Sequence, residues 1–353
     1  MPQTENKPRR NANNASVILT AAATSSCIRQ SKRRHVYQPG KSQLVIMTGN
    51  FSGSASSTIK RIGYFDQNNG MYFQSSGSSF GVGLRTNISG TPTDTFISQS
   101  SWNLDHYDGT GASGNLLNLT ASQIFFMDFE WLGVGRIRYG IYQNGIPFYV
   151  HQITNTNTLS TVYISTPNQP VRYEIINSGS SPQSMLQICS TVSSEGGFQE
   201  IGSVKAASNT NGITINAATY CALVALRLKP GSLDSGVIPL SITTGQITAN
   251  VVYETTLLIN PSGSLGFNWQ NVPNSNVQFA TSSAATLIIA NEGTKIFSGI
   301  SAGNQTVNTI NYDPTFALGS DVDGNSDVLV LGWNGIAGNA ANASVSLIWR
   351  KVT

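Results

Sequence analysis

Apolar and polar residues alternate with a period of two in short runs along most of the chain. The runs at 222–228 and 344–349 alternate clearly, those at 44–47, 59–65 and 148–153 are short and mainly apolar, and turns rich in Gly, Asn and Ser separate them. A period of two places successive side chains on opposite faces of a strand, whereas a helix repeats about every 3.6 residues. No segment keeps the helical period over three turns. The pattern therefore predicts an all-β protein with two β-sandwich or jelly-roll-like domains.

Two Asn-Gly pairs, at 69–70 and 144–145, mark turns between such runs. Asn and Gly both adopt the positive φ angles that a two-residue hairpin loop requires. We therefore predict a β-hairpin at each of these places.

The stretch 124–140 reads I-F-F-M-D-F-E-W-L-G-V-G-R-I-R-Y-G and predicts a central hairpin. Asp128 and Glu130 fall on one face of its first strand, and Arg136 and Arg138 alternate with apolar residues in its second strand. Two hypotheses follow: the acids form a catalytic carboxylate pair, or they pair with the arginines across the hairpin. Two cations and two anions this close in sequence favour the second hypothesis. We expect these four residues, together with Trp131, to stabilise the hairpin.

Residues 1–42 are polar, basic and without a hydrophobic period. Residues 1–41 carry eight basic side chains and one acidic side chain, a net charge of +7, while the rest of the chain carries −4. A segment of this composition is expected to be disordered on its own. Its charge suits contact with nucleic acid or with the acidic body of a neighbouring copy. No aromatic residues lie between the arginines to stack on bases, which favours the neighbouring copy. The residues predicted to make these contacts are Arg9, Arg10, Arg29, Lys32, Arg33 and Arg34.

The predicted organisation has three parts: an extended basic N-terminal arm at 1–42, a first β-sandwich at 43–182 and a second β-sandwich at 183–353. The boundary at 182 follows a cluster of Gly, Ser and Pro that is either a loop within the first sandwich or a hinge. The strands predicted just after it would either complete the first sandwich or lead to the second.

Charged residues make up only 10% of the chain, and Gly, Ser, Thr, Asn and Gln take their place. About a quarter of an average domain is charged. A neutral, hydrogen-bonding surface is common where neighbouring subunits cover it. The three cysteines lack metal-binding spacing, which argues against a disulfide framework and favours assembly in a reducing compartment. No apolar run is long enough to span a membrane, so we expect no membrane partner.

The sequence lacks the usual catalytic motifs. Only three histidines occur, and there is no P-loop, no G-x-S-x-G and no H-E-x-x-H. The sequence G-T-G-A-S-G at 109–114 matches a dinucleotide-binding fingerprint, but the residues after it are too few and too β-like for the helix that this fingerprint needs. We therefore expect no enzymatic activity and no cofactor.

The loop D-V-D-G-N-S-D at 321–327 is a candidate calcium site through Asp321, Asp323 and Asp327. Its glycine falls at the fourth place rather than the sixth place of an EF-hand loop, and no Glu completes the ligands. A turn rich in Asx residues is the simpler interpretation, so no metal is expected. The five tryptophans and 12 tyrosines could form a sugar-stacking groove, although most of the tryptophans lie in apolar runs that favour core packing.

Several segments resemble a family of virion structural proteins from large double-stranded DNA viruses and tailed bacteriophages. The segments are S-Q-S-S-W-N-L-D (98–105), D-G-T-G-A-S-G (108–114), D-F-E-W-L-G-V-G-R-I-R-Y-G (128–140), P-N-Q-P-V-R-Y-E-I (167–175), I-C-S-T-V-S-S-E-G-G (188–197) and D-V-D-G-N-S-D-V-L-V-L-G-W (321–333). The motif D-F-x-W-L-G-V-G-R-[IV]-R is the most specific of them. The resemblance implies a capsid-associated or fibre-associated β protein with no known chemistry.

Together these observations predict a viral structural protein of the virion that acts by self-assembly, as a capsid protein or a capsid-associated component. Its expected partners are copies of itself and other virion proteins, with packaged nucleic acid as a further partner of the arm. The alternative function is a receptor-binding or glycan-binding adhesin on a fibre, whose partner would be a surface glycan.

Overall fold

The structure, a computed structural model, describes residues 8–132, 135–216, 218–246, 251–282, 285–302, 307–311, 316–338 and 340–352. Gly133 and Val134, in the turn of the predicted central hairpin, lie outside the described residues, as do the first seven residues of the predicted arm. Within these ranges the chain forms β-strands and two single-turn 3-10 helices, Ala12–Asn14 and Gln99–Ser101. The all-β prediction is therefore confirmed. The chain divides into two compact units, Met1–Gln199 and Glu200–Thr353.

The described strands of the first unit form two antiparallel sheets. In chain order they are β1 (Arg9–Asn11), β2 (Ser16–Ala21), β3 (Ser25–Gln30), β4 (Gln43–Asn50), β5 (Thr58–Phe65), β6 (Gly70–Ser76), β7 (Ser79–Thr86), β8 (Thr93–Ser98), β9 (Gln123–Phe129), β10 (Ile137–Gln143), β11 (Ile146–Ile153), β12 (Val171–Asn177) and β13 (Gln183–Ser194). The seven-stranded sheet has the order β1-β2-β13-β4-β9-β10-β11, and the six-stranded sheet has the order β3-β12-β5-β6-β7-β8.

The core of the first unit lies between these two sheets. In β4, buried positions alternate with partly exposed ones along the whole strand, so that every second side chain faces the opposite sheet. Aromatic residues from both sheets meet there: the ring of Phe73 lies 4.8 Å from that of Phe125 and 5.7 Å from that of Tyr139, measured between centroids. All three are fully buried. Each removes a large apolar surface from water, and such burial stabilises the fold by roughly 25 cal/mol per Å².

A hairpin forms at both Asn-Gly pairs, but only the pair at 144–145 is the two-residue loop that the sequence predicts, because at the other pair the loop spans 66–69 and Gly70 already lies in β6. Asn144 and Gly145 have φ angles of 54° and 81° and connect β10 to β11, whose ends pair at Gln143 and Ile146. At the other turn, Asn69 and Gly70 close the hairpin of β5 and β6, where Gly70 pairs with Phe65.

The predicted basic arm is wrong as a separate element, because three of its described segments, β1, β2 and β3, belong to the sheets of the first unit. Strand β2 pairs with β13, and β3 pairs with β12. Leu19 and Ala21 of β2 are fully buried, so this part of the segment contributes core residues. The composition of this segment predicted disorder because β1 and β3 are short strands with few apolar residues, and their basic residues occupy exposed positions.

The predicted boundary at 182 is also wrong. Strand β13 follows the Gly, Ser and Pro cluster directly and pairs with both β2 and β4 in the seven-stranded sheet. The cluster is therefore a loop within the first sandwich, and the division between the units falls at 199.

The second unit is also built from antiparallel sheets. Its described strands are β14 (Gly202–Ile215), β15 (Tyr220–Leu228), β16 (Gly236–Gln246), β17 (Val252–Ile259), β18 (Ser262–Ser264), β19 (Gln270–Asn271), β20 (Val277–Thr281), β21 (Ile288–Asn291), β22 (Thr294–Ala302), β23 (Val307–Asn311), β24 (Val328–Ala337) and β25 (Ala341–Val352). One sheet has the order β14-β25-β16-β23. The other follows β18-β21-β15-β24-β17-β22, with β20 also paired to β15 and β19 to β20.

The core of the second unit is mainly aliphatic with two large aromatic residues. Leu347 and Trp349 of β25 are fully buried, as is Leu331 of β24, and Trp333 is nearly so. The ring of Trp333 packs against that of Tyr253 with centroids 4.3 Å apart. The alternation predicted at 344–349 is thus the alternation between core and surface.

None of the helices in the described ranges has the length and apolar character that crossing a membrane requires.

The burial of His35 generates a prediction about acid stability. Burial, reinforced by the charge of Arg33, lowers the pKa of His35 from 6.5 to about 4. Between these values the unfolded chain binds a proton that the folded chain does not, so this contribution to stability is present above pH 6.5 and lost as the pH falls toward 4. We expect His35→Gln to reduce the loss of unfolding free energy over this range by up to about 3 kcal/mol, at about 1.4 kcal/mol per pKa unit.

The measurement is urea unfolding of both proteins at pH 7 and at pH 4.5, followed by circular dichroism. The values at pH 7 isolate any packing cost of the substitution, and the difference between the two pH values isolates the titration. An identical pH dependence in both proteins would contradict the prediction.

Candidate functional site on the seven-stranded sheet

The outer face of the seven-stranded sheet carries the residues of the central hairpin that the sequence singled out. Asp128 on β9 pairs with Arg138 on β10 and, on its other side, with Leu44 on β4. Leu44 pairs in turn with Ser193 on β13. Because neighbouring residues in one row of a sheet point to the same face, these four side chains form a continuous band across the outer surface.

Asp128 and Arg138 form a bidentate ion pair within this band. The Nε and Nη2 atoms of Arg138 donate hydrogen bonds of 2.8 and 2.7 Å to the two carboxylate oxygens of Asp128. Tyr149 on β11 donates a third bond, of 2.8 Å, to Oδ2. The ring of Tyr149 also lies under the guanidinium group of Arg138, whose Cζ is 4.2 Å from the ring centroid. The pairing hypothesis is therefore supported for Asp128 and Arg138, and the carboxylate has the saturated contacts of a fixed structural acceptor.

The contacts in this band shift the pKa values of two groups. Hydrogen bonding to Asp128 raises the pKa of Arg138. Burial, followed by the bond to Asp128 and its charge, raises the pKa of Tyr149 to about 12. Both groups thus keep their ordinary protonation states across the physiological pH range, and the band presents a constant set of donors and acceptors.

Three aromatic rings lie beside the ion pair. Phe126 packs against Tyr142 with centroids 4.8 Å apart and against Tyr149 with centroids 5.1 Å apart. The cluster depends on Gly140, because a Cβ added there would meet Cζ of Phe126 at 2.1 Å. Phe126 is buried, whereas the two tyrosines are partly exposed. The tyrosines are thus the aromatic surface that a ligand can reach.

Two adjoining depressions make this face concave. The larger has a volume of about 400 Å³, and the smaller about 230 Å³. They share Ser42, Glu130 and Glu195 in their linings, and we call them together the β9–β10 groove. The larger depression is lined by Ser42, Leu44, Phe126, Asp128, Glu130, Arg136, Arg138, Tyr142, Pro147, Tyr149, Ser193 and Glu195. The smaller is lined by Tyr37, Gly40, Lys41, Ser42, Glu130, Trp131, Leu132, Gly135 and Glu195.

Glu130 lines both depressions and interacts only loosely with Arg136, which lines the larger one. Their closest charged atoms are 4.0 Å apart, and each side chain is 47% exposed. An exposed pair at this distance contributes little to stability. Both side chains are therefore available to a ligand, in contrast to the saturated pair of Asp128 and Arg138.

Trp131 is fixed at the end of the groove by hydrogen bonds of its own. Its backbone N–H donates to the hydroxyl of Tyr37 at 3.1 Å, and its Nε1 donates to the carbonyl of Ile164 at 3.0 Å. The next residue, Leu132, is exposed and has a φ angle of 94°. A positive φ is unusual for leucine and costs roughly 1–3 kcal/mol, and such conformations cluster at functional sites.

The charges that line the groove balance. Asp128, Glu130 and Glu195 carry three negative charges, and Lys41, Arg136 and Arg138 carry three positive charges. A groove with no net charge, several hydrogen-bonding groups and aromatic surface suits a neutral polar ligand better than an ion.

The six basic residues predicted to contact nucleic acid or a neighbouring copy do not form one segment. Arg9 and Arg10 lie on β1 and Arg29 on β3, which belong to different sheets. Arg34 donates from Nη1 to Oδ2 of Asp66 at 2.7 Å. Lys32 and Arg33 follow β3 in the connection to β4.

The candidate calcium loop is a turn held by its own Asx side chains. Asp321 accepts hydrogen bonds from the backbone N–H groups of Asp323 and Asn325 at 3.0 and 2.8 Å. The side chain of Asp327 accepts a bond of 2.6 Å from Asn260. Across the part of the chain that the structure describes, no three His, Cys, Asp or Glu side chains are grouped to hold a metal ion. The bonds that Asp321 accepts from Asp323 and Asn325 are those of the Asx-rich turn, the simpler of the two interpretations.

The histidines and cysteines lie outside the groove. His151 is buried on β11, where its Nδ1 accepts a bond from the backbone N–H of Asn103 at 3.2 Å. Cys27 and Cys221 are buried and Cys189 is exposed, all three as free thiols.

The groove was only partly predictable. The alternation of charges identified Asp128, Glu130, Arg136 and Arg138, but nothing in the local sequence connected them with Glu195 or Lys41. Glu195 follows β13 and Lys41 precedes β4, so the pairing of these two strands brings both residues to the groove. The alternation of apolar and polar residues along β13 is the signal that could have indicated this pairing.

No model of a known protein family matches the chain, and no curated protein sequence matches it. Among solved structures, the binding domain of botulinum neurotoxin serotype C1 is 10% identical to this chain. The match covers 94% of this chain and 92% of the neurotoxin chain, with a TM-score of 0.33. The metal-free carbohydrate recognition domain of Emp46p is 10% identical, with coverage of 52% and 85% and a TM-score of 0.31. A legume lectin-like domain from Entamoeba histolytica is 10% identical, with coverage of 53% and 87% and a TM-score of 0.30. Likenesses at this level carry no conclusion about ligands.

The close contact at Gly140 gives a prediction about the groove. We expect Gly140→Ala to lower the unfolding free energy by about 1–3 kcal/mol and to displace the ring of Phe126, because the new methyl group overlaps that ring. Thermal unfolding and the aromatic proton shifts in NMR spectra measure the two effects. Gly266→Ala in the second unit is the control, since a Cβ added there would have no other atom within 4 Å. Equal effects from the two substitutions would contradict the assignment.

Proposed function

We propose that the protein is a virion surface component whose first unit binds a neutral glycan in the β9–β10 groove. The observation that carries the proposal is the combination of partly exposed Tyr142 and Tyr149 with the fixed pair of Asp128 and Arg138 in one open depression of about 400 Å³. A monosaccharide ring has apolar C–H faces and a rim of hydroxyl groups. It therefore matches a surface that offers aromatic contact beside fixed donors and acceptors.

The polar residues of the groove would divide the work of recognition. The bidentate bond to Asp128 holds the guanidinium group of Arg138 in place. Its Nη1, which takes no part in that bond, would donate to a glycan hydroxyl with little loss of side-chain entropy. Glu130 and Arg136, which are exposed and loosely paired, would adapt to the substituents of the glycan.

The location in a virion rests on the sequence segments that resemble virion structural proteins, above all the motif at 128–138. That motif provides the residues of the groove: Asp128 and Arg138 form its fixed pair, and Trp131 closes its end. The motif would thus be the structural core of a ligand-binding hairpin on a fibre or adhesin.

Self-assembly is the other function that the sequence predicts, and it has less support. It was to act through low-charge β surfaces buried against neighbouring copies and through a free basic arm, and the second route loses support because β2 and β3 of that segment are strands within the first unit. The hypothesis that the six basic residues bind nucleic acid loses support for the same reason, because three of them lie on strands of two different sheets.

Glycan-array screening of the full chain, followed by calorimetry with the best neutral ligand, tests the proposal. We expect Tyr142→Ala to weaken binding at least about tenfold, which corresponds to about 1.4 kcal/mol, because it removes one of the two partly exposed tyrosine rings of the larger depression. Tyr149→Phe should weaken it less, since it removes only the hydroxyl group that supports Asp128.

Tyr220→Phe in the second unit is the matched control for Tyr149→Phe, because the Tyr220 hydroxyl is also hydrogen-bonded, at 2.7 Å to Thr256. It should leave glycan binding unchanged. The proposal would be overturned if no neutral glycan bound the full chain, or if binding survived Tyr142→Ala unaltered.

A further inference from the structure

The outer face of the six-stranded sheet carries a second concave site in the first unit. It has a volume of about 430 Å³ and lies on the sheet opposite to the β9–β10 groove. Its residues come from five strands of this sheet, β3, β12, β5, β7 and β8, and from the loops beside them. The lining consists of Ser26, Ile28, Arg61, Gln67, Arg85, Pro92, Asp94, Arg172, Glu174 and Ile176, and we call it the arginine pocket.

Three arginines and two carboxylates of the pocket form one ion-pair network. Arg172 donates from Nε and Nη2 to Oε2 of Glu174 at 2.9 and 2.5 Å. Arg61 donates from Nη1 to Oε1 of the same carboxylate at 2.8 Å and approaches Asp94 at 3.4 Å. Arg85 binds Asp94 in bidentate fashion, at 2.7 and 2.9 Å.

The network also rests on an aromatic base. The guanidinium groups of Arg61 and Arg85 lie 5.0 and 5.8 Å from the ring centroid of Tyr72. That of Arg172 lies 5.5 Å from the centroid of Phe65. Stacking of this kind stabilises a cation that is withdrawn from water. The arginines are thus held in place from below, and their positions do not depend on a ligand.

The charges of the pocket do not cancel. Arg61, Arg85 and Arg172 carry three positive charges against the two negative charges of Asp94 and Glu174, and the other lining residues are neutral. Burial alone would raise the pKa of Asp94, but its bonds with Arg85 and the charges of Arg85 and Arg61 lower the pKa overall. One positive charge therefore remains in a site where the side chains of Arg61 and Arg172 are only 9% and 4% exposed. A buried charge without a counter-ion is costly.

The arginines retain hydrogen-bond donors for such a counter-ion. A guanidinium group has about five N–H donors. Arg172 uses Nε, Nη1 and Nη2 in bonds to Glu174 and Gln30. Arg85 uses Nε, Nη1 and Nη2 in bonds to Asp94 and to the carbonyl of Asp66. Each terminal nitrogen carries two hydrogens, so each of these side chains has donors beyond those already engaged.

We propose that the arginine pocket binds the carboxylate group of an acidic sugar residue. A single planar carboxylate neutralises the remaining charge and matches the fork of a guanidinium group. A phosphate or sulfate with two negative charges would more than neutralise the net charge of +1. It would leave an excess negative charge beside Asp94 and Glu174.

The walls of the pocket provide the contacts for the sugar ring. Ile28, Pro92 and Ile176 contribute apolar surface around the arginines, and Ile176 is 37% exposed at the mouth. The volume of about 430 Å³ accommodates one monosaccharide. The site lies on the other sheet from the β9–β10 groove, so the proposal stands independently of the one made for that groove.

Calorimetry of the full chain with glucuronic acid, its methyl ester, glucose and acetate tests the proposal. We expect glucuronic acid to bind at least about tenfold more tightly than the methyl ester and glucose, because only the acid carries the charge, and more tightly than acetate, because only the sugar contacts the apolar walls. Equal binding of the acid and its ester would overturn the proposal. Binding of acetate as tight as that of glucuronic acid would overturn the assignment to a sugar.

The substitution Ile176→Asp places a negative charge at the mouth of the pocket without removing any residue of the ion-pair network. Ile176→Asn is its matched control, with nearly the same shape and no charge. We expect the Asp variant to bind glucuronic acid at least about tenfold more weakly than the Asn variant at low ionic strength, and equal affinities would overturn the proposal. Tyr142→Ala should leave the affinity for glucuronic acid unchanged, so that the failure of one site is distinguished from the failure of the other.

Discussion

The period of two along each strand of the first unit is the constraint on which both concave sites depend. When alternate residues pack as a core between the two sheets, the residues between them must face outward. Phe73 and Tyr139 occupy core positions with no measurable exposure, which fixes the register of β6 and β10. The same register then determines that Arg138 and Asp128 face each other on the outer surface. A slip of one residue would exchange core and surface.

The few charged residues of the first unit are distributed unevenly. Only 10% of the residues are charged, yet in the first unit many of these charges gather in two groups, on the outer faces of the two sheets. In one group the charges balance and surround aromatic surface, and in the other a positive charge remains. Charges that are few and concentrated in concave sites are better suited to ligand recognition than to solubility alone.

The basic residues near the N-terminus have a structural explanation that their sequence does not suggest. Arg9 and Arg10 lie on β1, at one edge of the seven-stranded sheet, and Arg29 lies on β3, at one edge of the six-stranded sheet. An edge strand exposes unpaired backbone groups that can pair with another chain, and charged side chains there oppose such pairing. The cluster of basic residues in the sequence is thus, in part, protection for two sheet edges that the first thirty residues supply.

The sequence by itself determined the all-β class, the hairpin loop at 144–145 and the pairing of Asp128 with Arg138, because these depend on periods and turn geometry within a few residues of one another. It did not determine that residues 16–30 belong to the sheets, that β13 completes the first sandwich, or that Glu195 and Lys41 reach the β9–β10 groove. These features depend on strand pairs that join residues far apart in the chain. The sequence offers many antiparallel partners of similar composition, and only the packing of two complete sheets around one core selects among them.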